Sequence, residues 1–285
     1  MTVAVRRSLR ASGPLRRHAL LAYLLLAFGI AWGGAAFSVV VFGMSAPALL
    51  GAMLAGPTAA SLVLTGVVDG AAGYRKLLRS LWHLPARRWY AALLINPLVL
   101  LSVLGALSLA SRAFVPGIFA TSNPGSLLAI AIAAGLLAGM FEELGWTGFA
   151  TPQLLASRGP LAAGLILGLV WATWHIGPDL LGAAGDWGSL HPWRILTWMY
   201  AGMVPYRVLM TFVYRHTESL LLGVLMHGVY TGGQVLLEPI GASQTEQLIW
   251  WAVLGLALWF VVGMVMTAAA ARDSAPGSGR GCVHR

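Results

Sequence analysis

Apolar runs of roughly the same length recur along the whole chain, at 18–42, 45–68, 90–110, 125–148, 160–180, 193–214, 217–237 and 246–270, divided by short polar or glycine- and proline-containing segments. A hydrocarbon core about 30 Å thick takes about 20 residues of helix, so the pattern predicts an all-α, polytopic membrane bundle of about eight transmembrane helices. One stretch departs from it. Between Gly73 and Tyr90, Tyr74, Leu77, Leu78, Leu81 and Trp82 recur at helical spacing while Arg75, Lys76 and Arg79 take the other face, which predicts an interfacial amphipathic helix on the inner membrane surface. The chain then divides into a basic N-terminus (1–17), a single transmembrane helical domain (18–271) and a polar, glycine-rich tail (272–285) expected to be disordered.

Composition agrees with the bilayer and closes off other classes. With 58% hydrophobic and 9% charged residues and a mean hydropathy of +0.78, there is too little polar side chain to coat a water-soluble globule of 285 residues. Cys282 is the only cysteine, so no disulfide scaffold is available. The net charge of +9 would suggest nucleic acid in a soluble protein; here it is a topology signal, and no nucleic-acid partner is expected.

Placing the N-terminus in the cytoplasm puts Arg6, Arg7, Arg10, Arg16, Arg17, Arg75, Lys76, Arg79, Arg87, Arg88, Arg158, Arg207, Arg215, Arg272, Arg280 and Arg285 on the inner side, and only Arg112 and Arg194 outside. Both termini are therefore expected in the cytoplasm. The retained first helix and the lack of a targeting signal suggest a bacterial plasma membrane, with lipids as obligate partners. Arg207 is read as snorkelling from the sixth helix and given no role. The pairs Gly135/Gly139 and Gly164/Gly168 are read as close helix packing.

Ionisable groups at membrane depth are costly, and each is a functional candidate. Glu142 and Glu143 lie in Met-Phe-Glu-Glu-Leu-Gly-Trp-Thr-Gly, His175 in Trp-Ala-Thr-Trp-His, and His227 in Gly-Val-Leu-Met-His-Gly-Val-Tyr-Thr. Residues four apart share a helix face, which sets Thr147 beside Glu143, Trp171 beside His175 and Thr231 beside His227. Two adjacent carboxylates point about 100° apart, so the glutamates should have unequal roles. A carboxylate with two imidazoles can bind a divalent metal that activates water, with Glu142, His175 and His227 as ligands to Zn2+, or can activate water directly. Both are hydrolysis. Arg215, His216 and Glu218 read instead as helix-boundary chemistry, with Thr217 able to cap. His-Glu-x-x-His and Gly-x-Ser-x-Gly are absent from the sequence.

These residues resemble the CPBP intramembrane proteases, the CAAX protease and bacteriocin-processing (Abi) family that includes the Rce1-type prenyl-protein endopeptidases. Its motif Glu-Glu-x-x-x-Arg matches Glu142 to Thr147, Phe-x-x-x-His matches Trp171 to His175, and His-x-x-x-Asn matches His227 to Thr231, with 32 residues from Glu143 to His175 and 52 from His175 to His227. The resemblance implies an intramembrane endopeptidase acting on a membrane-associated, prenylated or bacteriocin-like peptide or protein. In it the glutamate and His175 activate water, while His227 and residue 231 bind the oxyanion. It leaves metal-dependent and metal-free chemistry open.

Three positions depart from the pattern. Thr147 replaces an arginine that would neutralise or orient Glu143, Thr231 replaces an asparagine, and Trp171 replaces a phenylalanine while keeping an aromatic wall. The catalytic set is thus Glu142, Glu143, His175, His227 and Thr231. The alternative is a non-catalytic relative that binds a hydrophobic or lipid-linked peptide in an immunity or scaffold role. A proton-coupled transporter would show repeat symmetry, and none is visible in the sequence. Catalysis predicts convergence on one inward-opening cavity. By residue counting Glu142 falls near the inner face and His175 near the outer one, so contact requires span five to start later, after an interfacial piece from Gly148 to Gly159.

Overall fold

The computed structural model describes residues 17–43, 46–182 and 185–274. Arg6, Arg7, Arg10, Arg16, Arg280, Cys282 and Arg285 lie outside them, as does most of the predicted tail. The described residues are helical, with no strand among them. The main elements are α1 (Ala19–Phe42), α2 (Ala46–Leu81), α3 (Ile95–Ser108), α4 (Pro124–Gly145), α5 (Pro160–Trp174), α6 (Val204–Thr217), α7 (Leu220–Leu237) and α8 (Gln244–Asp273).

Seven helical runs among the described residues are long and apolar enough to cross a membrane. The sixth predicted span is not among them, although the chain is helical from His191 through a widened stretch at Ile195–Met203 to Thr217. Residues 202–211 are all buried. A helix enclosed by protein on every side has no need of a lipid-facing apolar surface, and this one carries Tyr206, Arg207 and Thr211 in its buried part.

The fourth span outruns its predicted end. After Gly145 the helix widens by one π-type turn at Trp146–Ala150 and continues as Thr151–Leu155, a run of 32 residues from Pro124. This corrects the interfacial piece expected at Gly148–Gly159 and removes the depth conflict. Glu142 lies thirteen residues, about 20 Å, before Leu155, and His175 lies fifteen residues, about 22 Å, after Pro160. The two meet at one depth because the fourth helix is longer, not because the fifth starts late.

The amphipathic segment forms as the last part of α2. The helix breaks at Gly70, whose φ of +60° lies where side chains are disfavoured, and beyond it Leu77 is buried while Arg75, Lys76 and Arg79 are exposed. It ends at Leu81 rather than Tyr90, and a 3-10 helix at Arg87–Leu94 leads into α3. At the α6–α7 corner the cap is Ser219, whose hydroxyl accepts from Leu222 N–H at 3.2 Å. Thr217 donates back to Val213 O instead, and Glu218 takes the left-handed conformation that ends α6.

Both glycine pairs sit at close helix contacts. On α4, a Cβ at Gly135 or Gly139 would run into the backbone of α7 at Gly228 and Val224; on α5, one at Gly164 would meet Val208 Cα at 2.7 Å and one at Gly168 Val204 Cα at 3.0 Å. The α4–α7 contact is the one that brings Glu143 to His227. Gly139→Leu should therefore lower the thermal midpoint in detergent by the equivalent of about 1–3 kcal/mol. Gly263→Leu, where a Cβ meets nothing within 4 Å, should leave it unchanged.

Candidate functional site

Glu142, His175, His227 and Thr231 all line one cavity of about 450 Å³. Four of the five residues singled out in the sequence thus converge on one cavity. Glu143 is the exception: it is fully buried and does not line the cavity.

Glu143 is held from three helices. Arg207 of α6 donates to both carboxylate oxygens, Nη1 to Oε2 at 2.8 Å and Nη2 to Oε1 at 2.7 Å. Thr147, one turn along from Glu143, donates to Oε2, and His227 Nδ1 stands 2.6 Å from Oε1. The guanidinium also lies over the Trp171 ring, 4.3 Å from its centroid. Arg207 is thus fully buried in the core, which corrects its reading as a snorkelling residue. A guanidinium arriving from α6 occupies the place that the Thr147 departure seemed to leave vacant. The bidentate fork is the geometry that best compensates a buried carboxylate.

Glu142 is held differently. Its Oε2 accepts from the indole N–H of Trp171 at 2.8 Å and of Trp146 at 3.3 Å. Oε1 stands 4.0 Å from His227 Nε2. One oxygen is therefore anchored by two neutral donors while the carboxylate borders the cavity, so the glutamates are as unequal as their adjacency requires. Trp171 is more than an aromatic wall, since phenylalanine has no N–H to offer Glu142.

The histidines are oriented by their Nδ1 atoms. His175 Nδ1 lies 2.9 Å from Trp171 O, which demands a proton on that nitrogen and leaves Nε2 as the acceptor of a neutral ring. His227 Nδ1 is given to Glu143, turning Nε2 towards Glu142. Thr231 follows His227 by one turn on the cavity wall. Among the described residues no three of His, Cys, Asp and Glu stand so as to hold a metal ion. Zn2+ ligation by Glu142, His175 and His227 does not fit this geometry.

The cavity wall also includes Trp187, Arg194, Trp198, Glu238, Gln247 and Trp251. Arg194 pairs with Asp179 and lies over three indole rings, at 4.6 Å from Trp198, 5.6 Å from Trp187 and 5.9 Å from Trp251. Burial pushes the Glu238 carboxyl above its ordinary value, with the Arg194 charge pulling the other way. Sequence reasoning passed over Arg207 and Trp146. Trp146 was findable, because it follows Glu142 by four residues; Arg207 required knowing where the sixth helix begins and ends.

Residues 124–232 match the family model of the type II CAAX prenyl endopeptidases, Rce1-like. A CAAX prenyl protease 2 from Methanococcus maripaludis is 25% identical over 124 residues, which cover 42% of this chain and 44% of that protein. The chain thus spans less than half the length of the curated relative it matches. The matched segment starts at the first turn of α4 and ends one residue after Thr231, so it takes in every side chain that surrounds the two glutamates from α4 to α7. On that segment the chain is similar to the Rce1-like CAAX prenyl endopeptidases, in line with the motifs it resembles in sequence.

Proposed function

We propose that this protein is an active intramembrane endopeptidase in which Glu142 activates water directly. The observation that carries the reading is the division of labour between the glutamates: Glu143 is locked to Arg207, Thr147 and His227, while Glu142 borders the cavity with one oxygen anchored. Water held between Glu142 and His175 Nε2 gives its proton to Glu142 as its oxygen adds to the scissile carbonyl carbon. The carbonyl oxygen becomes the oxyanion and receives N–H from His227 Nε2 and O–H from Thr231. Glu142 then passes its proton to the amide nitrogen as the C–N bond breaks, leaving a carboxyl and an amine.

The placement of His227 supports its role: Nδ1 faces Glu143 at 2.6 Å and Nε2 faces Glu142 at 4.0 Å, so a ring carrying both protons would present a donor on Nε2 between the two carboxylates. The apolar wall at Leu50, Leu54 and Leu137 suits a hydrophobic or prenylated substrate segment.

The test is cleavage of fluorogenic peptides, farnesylated and plain, by the purified protein in lipid nanodiscs. Turnover by the wild type and none by Glu142→Gln supports the proposal. No turnover by either, with tight binding of the same peptides, would favour a non-catalytic binding role. Thr231→Val, which removes one oxyanion donor, should lower kcat by about 10² with KM little changed.

A further inference from the structure

We infer that Trp171 is the positioning residue of the site: through its indole N–H and its own carbonyl it fixes the Glu142 carboxylate of α4 against the His175 ring of α5. The inference rests on the peptidase reading for what that pair does to water. The anchoring it describes stands without it.

The pattern begins at the end of α5. The last four carbonyls of a helix lack intrahelical partners, and α5 ends at Trp174 with His175 as its cap, so those of Trp171 and Trp174 are among them. His175 N–H turns to Ala172 O, at 3.2 Å, instead of reaching back a full turn to Trp171 O. The freed Trp171 carbonyl is taken by the imidazole, with His175 Nδ1 at 2.9 Å, and that of Trp174 by the Trp32 indole at 2.8 Å. The backbone of Trp171 thus sets which way the His175 ring faces.

The side chain of the same residue crosses to the other helix. Its N–H meets Glu142 Oε2 at 2.8 Å, a shorter bond than the 3.3 Å one from Trp146. The two indoles differ in what they can fix. Trp146 follows Glu142 by four residues on one helical run and moves with it, whereas Trp171 stands on the helix that leads into His175. The bond from Trp171 therefore sets the carboxylate relative to His175, and the bond from Trp146 does not. With Oε2 held by two donors, Oε1 is the oxygen left for water.

Packing gives the indole little freedom. Trp171 is 1% exposed. The Arg207 guanidinium lies over its ring, and the rings of His175 and His227 meet it edge-on, with centroids 5.5 and 5.1 Å away. Phenylalanine, which the motif it resembles carries here, would keep a ring in this place and lose the one bond that crosses from α5 to Glu142.

Two analogues installed at position 171 of the full chain by amber suppression separate that bond from packing. Benzothienylalanine has sulfur in place of the indole N–H on the same bicyclic frame; a ring-fluorinated tryptophan keeps the N–H. In lipid nanodiscs, with the peptides of the cleavage assay and rates expressed per folded protein, the sulfur isostere should lower kcat at least about tenfold with KM within about twofold, because a misplaced reacting group loses rate more than binding. The fluorinated residue should keep the wild-type kcat. Equal kcat for the two analogues, or a loss confined to KM, overturns the inference. A second readout needs no turnover. In protein isotope-labelled at the tryptophan indole nitrogens, the N–H resonance that disappears in Trp171→Phe should move upfield in Glu142→Gln, where a neutral acceptor replaces the carboxylate. The resonance of Trp250, whose buried indole N–H has no partner among the described residues, should stay in place. An unmoved Trp171 resonance overturns the inference. Movement of that resonance with no peptide cleaved by the wild type would leave the anchoring standing and sink the peptidase reading instead.

Discussion

Glu142→Gln should abolish peptide hydrolysis, lowering the rate by about 10²–10⁴, while the thermal midpoint in nanodiscs stays near that of the wild type. The amide oxygen of glutamine can accept from the Trp146 and Trp171 indoles as Oε2 does, so the local structure keeps its anchors. What it loses is a group able to take a proton from water. Glu143→Gln should show a different balance. That substitution leaves the fully buried Arg207 without its counter-ion, and breaking a buried pair from one side costs about 3–5 kcal/mol. Its midpoint should fall by on the order of 10 °C, and the activity that remains should track the folded fraction. Tryptophan-monitored unfolding beside single-turnover cleavage separates the two. If Glu142→Gln cleaves at a wild-type rate, Glu142 is not the base; if both variants lose activity with unchanged midpoints, the glutamates share one role.

Much of this arrangement was legible in the sequence for one physical reason: carboxylates and imidazoles inside apolar runs are expensive, so Glu142, Glu143, His175 and His227 stood out wherever the helix edges fell. Their unequal surroundings also followed from adjacency on a helix. The edges themselves carried the errors. A π-type turn after Gly145 let the fourth helix run on to Leu155, which no apolar count reveals, and this moved Glu142 from near the end of the run to its interior. The same ambiguity hid Arg207, which looked like a boundary residue at the inner end of span six but lies ten residues inside the helix end at Thr217. Hydropathy could not rank that helix as enclosed, because enclosure depends on which neighbours surround it.

Arg207→Met should be the most destabilising single change at the site, and Thr147→Arg should rescue it. Alone, Arg207→Met leaves Glu143 buried with only Thr147 and His227 as partners, a loss of about 3–5 kcal/mol. Thr147 lies one turn from Glu143 on the same face, and both its hydroxyl and Arg207 Nη1 bond the same oxygen, Oε2. An arginine at 147 would start from beside that oxygen, and the space emptied by Arg207 would receive its longer side chain. In the single variant Thr147→Arg that space is still occupied, so a second buried cation has neither room nor counter-ion, and the protein should unfold more easily. The double variant Thr147→Arg with Arg207→Met should regain most of the lost midpoint and the peptide cleavage with it. Measured as a cycle, the two changes should couple by at least about 2 kcal/mol in the stabilising direction. Additive losses would mean that Arg207 serves the packing of α6 and not the charge of Glu143. A rescued midpoint without rescued cleavage would mean that the guanidinium must arrive from α6, over the Trp171 ring, to hold His227 and Glu142 in working register.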